Sequence, residues 1–214
     1  KKWLIGCLVV FAAIDVGATP SEEAAGKELE GALHLKPNIE NGRQVYQICA
    51  ACHMPEGWGT EDGYYPHIAG QHASVTIKQL ADIRARNRNA PTMFPFAKLD
   101  ILKLQDIADV AAYIEGLPMA PVNDVGPGND LKLGHRLYIK YCAECHGNHG
   151  EGDSAKHMPM VQGQHYRYLL RQYLLIKHGT RRNADKEMVK QIHEFTARET
   201  TAVLDYVSRL RPPP

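Results

Sequence analysis

Four of the five cysteines fall into two matching pairs, Cys49-Ala50-Ala51-Cys52-His53 and Cys142-Ala143-Glu144-Cys145-His146. Two thiols at this spacing can each add to one vinyl group on the same edge of a porphyrin. The histidine that follows then lies under the iron and supplies an axial nitrogen. Two disulfides or one zinc site could use the same sulfur atoms, but either would leave both trailing histidines without a role. The expectation is two covalently attached haem c groups, held by Cys49, Cys52, Cys142 and Cys145, with His53 and His146 as iron ligands.

The two sites lie 93 residues apart, and the correspondence extends well beyond the cysteines. Pro66 answers to Pro159, Gly70-Gln71-His72 to Gly163-Gln164-His165, and Gln79 to Gln172, all at that offset. Upstream, Gly42 and Tyr46 answer to Gly134 and Tyr138 with one residue of slip. A repeat this long means two copies of one small domain rather than a solenoid. The expected organisation is a first domain over 37–116, a Pro- and Gly-rich linker over 117–129 and a second domain over 130–214. Each unit is about the size at which a single core needs help from a cofactor.

The elements that must position these residues read as helices. One starts near Asn38 and runs into the first site; its counterpart starts at Asp130. A middle helix carries Ile77, Leu80 and Ile83, matched by the run from Tyr168 to Ile176. A last helix presents Ile107, Val110, Ala111, Ile114 and Leu117 on one face. Its partner opens with Thr196-Ala-Arg-Glu199, a capping-box pattern, and continues through Val203, Val207 and Leu210. No long stretch alternates with period two, so the expected class is all-α.

Composition agrees with a globular chain. The 214 residues are 44% hydrophobic and 23% charged, which excludes a polytopic membrane protein and a disordered one. A formal net charge of +1 gives no general affinity for nucleic acid. Two Trp and four Phe are few for this length, and buried porphyrin would supply the missing apolar area.

Gly-x-x-x-Tyr ahead of CxxCH, a proline thirteen residues after the histidine, a later methionine and a last helix with Tyr113 or Tyr206 resemble class I cytochrome c. Two such units in tandem, each with Pro-x-x-x-Gly-Gln, resemble the periplasmic di-haem cytochromes of the c4 type over about residues 38–211. The resemblance implies two domains related by a pseudo-twofold axis, each wrapped around one haem. It implies that the carbonyls of Pro66 and Pro159 accept from the axial histidine rings, and that Tyr46 with Tyr113, and Tyr138 with Tyr206, lie where first and last helices touch. The first site departs from the pattern, reading Cys-His-Met-Pro-Glu-Gly where the second has Cys-His-Gly.

Methionine as sixth ligand is a further implication, and Met93 and Met188 are the candidates. They follow His53 and His146 by 40 and 42 residues, each between the middle and last helices of its unit. Met54 adjoins its own axial histidine, Met119 is in the linker, and Met158 and Met160 flank Pro159. His193 shares the segment of Met188 and is its rival, giving bis-histidine ligation and a lower potential.

The amino end, Lys1-Lys2 followed by apolar Trp3 to Ile14 and then Val16-Gly17-Ala18, has the order of a secretory signal. Residues 1–18 are expected to be a cleaved signal or a retained membrane anchor, and Cys7 makes a weak lipobox. Residues 19–36, with Glu22, Glu23, Glu28 and Glu30, read as a solvated tether. The first domain carries −2 and the second +5 from Lys, Arg, Asp and Glu. Arg181, Arg182, Lys186 and Lys190 form a basic run, either a solvated face or a docking patch for an acidic partner.

The resemblance implies a periplasmic electron carrier rather than an enzyme, working between a donor such as a quinol-oxidising complex and an acceptor such as a terminal oxidase. The alternative is the di-haem subunit of a dehydrogenase complex, for example a sulfide-oxidising flavocytochrome. A haem enzyme would need an open or displaceable iron site, and each unit has a methionine where one is expected.

Overall fold

A computed structural model describes residues 18–213, all of them helical or irregular, with one isolated bridge between Asp153 and Met158. The first half contains α1 (Pro20–Leu33), α2 (Ile39–His53), α3 (Ala73–Arg84), α4 (Phe94–Ala97) and α5 (Leu104–Glu115). The second contains α6 (Leu131–Tyr141), α7 (Ala143–His146), α8 (Tyr166–Lys177), α9 (Lys186–Ile192) and α10 (Ala197–Ser208). In each half the helix that leads into the CxxCH motif packs on the last, α2 on α5 and α6 on α10. Thr196 caps α10 as its sequence promises, its side chain accepting from Glu199 N–H while Glu199 accepts from the Thr196 backbone.

Helix α1 corrects the tether expected over 19–36. Thr19 and Glu22 close a capping box, Pro20 sits at the first helical position, and Ala25, Leu29 and Ala32 are buried. Leu29 and Ala32 join Ile77, Leu102, Ile107 and Ala111 in one core cluster, and Glu28 pairs with Arg84 of α3. Glu22, Glu23 and Glu30 are exposed on an amphipathic helix that belongs to the first domain. The expectation for residues 1–18 falls on residues 1–17, outside those described, and on Ala18. Among the described residues no helix is long and apolar enough to cross a membrane.

The linker is anchored along the second half. The Asn123 carboxamide donates to the carbonyls of Gln164 and Ser208, at 2.8 and 2.9 Å, and Asp124 O accepts from Tyr166 N–H at 2.9 Å.

The two halves meet through reciprocal polar contacts, as a pseudo-twofold relation requires. Arg88 and Arg181, themselves 93 residues apart, converge on Gln79 and Gln172. Each guanidinium donates to the glutamine of its own half (2.8 and 3.2 Å) and to that of the other (3.5 and 3.1 Å). This corrects the basic run. Burial, with Arg88 nearby, pushes the Arg181 guanidinium down to about 10. Arg182 reaches the carbonyl of Arg86 in the first half. Only Lys186 and Lys190 of the four remain purely surface charges, and Lys190 pairs with Glu187.

Candidate haem sites

Helix α2 delivers Cys49, Cys52 and His53 at its carboxyl end; in the second half α6 breaks at Cys142 and α7 carries Cys145 and His146. The crossing that holds them depends on glycine. A Cβ on Gly42 would stand 2.2 Å from Asp109 O, and one on Gly134 only 2.1 Å from Ala202 O, so the helices touch backbone to backbone. One turn on, Tyr46 packs against Tyr113 and Tyr138 against Tyr206 with tilted rings, 5.2 and 5.6 Å between centroids. The Tyr46 hydroxyl donates to Met54 O at 2.8 Å and that of Tyr138 to Gly147 O at 2.6 Å. Each buried tyrosine thereby fixes the carbonyl just after the histidine.

From that point the chain turns back in both halves through left-handed backbone. Gly147 sits at φ +78° without cost, but Met54 occupies the same place at φ 65°, ψ 158°. A side chain there costs about 1–3 kcal/mol. Met54→Gly is therefore expected to stabilise the first domain by about 1 kcal/mol, read as a higher unfolding midpoint in denaturant at unchanged slope. A neutral or destabilising result would mean that Met54 side-chain contacts outweigh the strain.

The returning loop brings up the proline carbonyl. His53 Nδ1 donates to Pro66 O at 3.0 Å, and His146 Nδ1 donates to Pro159 O, also at 3.0 Å. Donation from Nδ1 fixes the tautomer and leaves the Nε2 lone pair free for a metal. Burial holds both imidazoles below the ordinary histidine range, so they stay neutral. None of the four cysteines of the two motifs is paired in a disulfide, and Cys49 and Cys142 are half-buried. Two cysteine sulfurs at CxxC spacing beside an imidazole whose Nε2 is free suit thioether attachment and axial ligation of a haem, and the residues present fit that group in both halves.

The two methionines lie in comparable segments. Met93 caps the start of α4, and Met188 sits in the first turn of α9, its N–H held by Asp185 Oδ1 at 3.0 Å. Met188 packs against the second core. His193 instead points outward and bonds to Glu194 at 2.7 Å, with two thirds of its side chain exposed. Of the glutamines and arginines between the halves, sequence reading passed over Arg88, gave Gln71, Gln79, Gln164 and Gln172 only as repeat positions, and took Arg181 as part of a basic run. Their only signal was the common offset of 93.

A tandem pair of helical units, each ending its first helix in CxxCH and orienting that histidine through a proline carbonyl, defines a di-haem class I cytochrome c. Family models agree: residues 39–118 match the one described as cytochrome c, and residues 129–207 match cytochrome C oxidase, cbb3-type, subunit III. The chain is 30% identical to cytochrome c4 of Thiocapsa roseopersicina, over 76% of this chain and 87% of the relative. It is 27% identical to the thiosulfate dehydrogenase electron acceptor of Stutzerimonas stutzeri A1501, over 83% and 90%. The crystal structure of reduced cytochrome c4 from Pseudomonas stutzeri superposes with a TM-score of 0.70 at 25% identity, covering 82% of this chain and all of that one. The chain belongs to the cytochrome c4 family, binds two covalent haem c groups and is an electron carrier.

Proposed function

We propose that this carrier works in the periplasm between respiratory partners, taking electrons from a donor such as a quinol-oxidising complex and passing them to a terminal oxidase. Covalent haem c attachment is an export-side chemistry, which supports the location. In each domain the two cysteines hold the haem, the histidine (His53 or His146) is the proximal ligand and the methionine (Met93 or Met188) the distal one. Bound haem supplies a one-electron couple, and Met/His ligation raises its potential into the range a carrier uses. The protein's part is to keep both imidazoles neutral and oriented through Pro66 and Pro159.

The observation that carries the ligand reading is the contrast between Met188, packed inward, and His193, exposed and engaged by Glu194. Ferric protein should show the weak near-infrared sulfur-to-iron band at the intensity of two methionine ligands, and Met188→His should halve it. Half intensity before mutation would overturn the assignment of Met188.

A second reading has support in the relative named as an electron acceptor of thiosulfate dehydrogenase: the chain would accept electrons from a periplasmic dehydrogenase, or form part of a dehydrogenase complex. Native purification separates the readings. A stoichiometric flavoprotein or other dehydrogenase in the isolated material would replace the oxidase reading with this one.

A further inference from the structure

The peptide bond between Pro66 and His67 is held at both ends by other groups. Its carbonyl accepts from His53 Nδ1, and its N–H donates to Gln164 Oε1 of the second domain at 3.1 Å. The same glutamine returns a second bond, Nε2 to His67 O, at 2.7 Å. Ninety-three residues on, the arrangement repeats with the domains exchanged. The Pro159–Met160 peptide accepts from His146 Nδ1, its N–H donates to Gln71 Oε1 at 3.0 Å, and Gln71 Nε2 donates to Met160 O at 2.9 Å. Each glutamine side chain thus clasps the residue after the proline in the other domain.

We propose that Gln71 and Gln164 are positioning residues that act across the interface: each sets the hydrogen bond to the axial histidine of the opposite domain, and through it the reduction potential of the opposite haem. The inference rests on His53 and His146 being the axial ligands. Donation by a peptide N–H polarises its own carbonyl and makes that oxygen a better acceptor. A stronger Nδ1–H···O bond gives the imidazole more anionic character, which favours ferric over ferrous iron. Gln164 therefore lowers the potential of the first haem, and Gln71 that of the second. The buried clasp also fixes the distance between the proline carbonyl and the ring, since Gln164 and His67 are 9% and 4% exposed.

The test is a potentiometric titration of the di-haem protein, with each haem's proton signals assigned to its domain by through-space NMR contacts. Gln164→Met, close in volume but unable to bond, is expected to raise the potential of the first haem alone, and Gln71→Met that of the second alone. The two changes should shift the electron-sharing ratio between the haems in opposite directions, by about two- to fivefold each. Gln164→Glu keeps an acceptor for the His67 N–H and should not raise the first haem's potential; it serves also if the methionine variant does not fold. Ser74→Ala removes a different contact between domains, the bond to Ser154 O at 2.7 Å, and should leave both potentials in place. Movement of the haem in the mutated domain, equal movement of both, a rise with glutamate, or no movement in a folded variant overturns the proposal. Loss of low-spin six-coordinate spectra in the unmutated protein would instead overturn the ligand reading on which it rests.

Discussion

Replacing Cys142 and Cys145 together by serine is expected to remove one haem from the mature protein and to unfold the second domain. Intact mass should fall by one haem, and haem absorbance should halve. The helical signal should drop by somewhat under half, because α6 to α10 contain somewhat fewer helical residues than α1 to α5. The reason is the size of the unit. The second core gathers Leu137, Tyr138, Tyr173, Ile176, Val203, Val207 and their neighbours, and half-buried Tyr141, Cys142, Ala143 and Met188 pack against it where the haem would complete the contact. At roughly 80 residues, apolar burial and chain entropy nearly cancel, so cofactor binding becomes folding free energy. The first domain has α1 as an added layer and keeps its own haem, so it should stay folded. A variant that retains native helicity with one haem would refute the dependence; a protein whose unmutated mass exceeds the polypeptide by one haem or none would refute the cofactor count.

Gly134→Val is expected to cost about 3–5 kcal/mol, with Gly42→Val similar in the first domain. The added Cβ at 134 would meet Ala202 O at 2.1 Å and Tyr206 Cβ at 2.8 Å, both on α10, so the helices must part and the Tyr138–Tyr206 contact is lost. Backbone atoms cannot rotate out of the way as a flexible side chain could. Gly26, also inside a helix, is the control: a Cβ there has nothing within 4 Å, so Gly26→Ala should stabilise by about 0.5–1 kcal/mol through helix propensity alone. Denaturant unfolding of the three variants measures the contrast. A mild effect at 134 would mean that the two helices can slide apart without loss.

Capping boxes illustrate how much of the fold could be read from residue order. Thr196-x-x-Glu199 announces α10, and Thr19-Pro-Ser-Glu22 announces α1 by the same pattern, yet the glutamates around the latter read as a solvated tether. Charge density hid the stripe of Ala25, Leu29 and Ala32, because small apolar residues contribute little to any average. Periodicity also located α3, α5, α8 and α10 well, since each must bury one face and so repeats its apolar residues every three or four positions. The short helices α4 and α9 left no such trace, having too few turns to show a period.

The chain's order of residues by itself determined the chemistry: CxxCH joins two sulfur atoms and a nitrogen within one or two helical turns, so neighbours in sequence are neighbours in the site. It determined the repeat as well, because each copy folds by the same local rules. Tertiary structure alone decided how the copies meet. Arg181 looked like a surface charge and lies instead against Gln79, Gln172 and Arg88. Gln71 and Gln164 looked like matching positions in separate units and turn out to hold each other's unit by the peptide behind the axial histidine. Polar side chains at an interface follow no period. The partners of Gln71 and Gln164 lie 89 to 97 residues away in the chain, and only the packing of one whole domain on the other brings donor and acceptor within 3 Å or so.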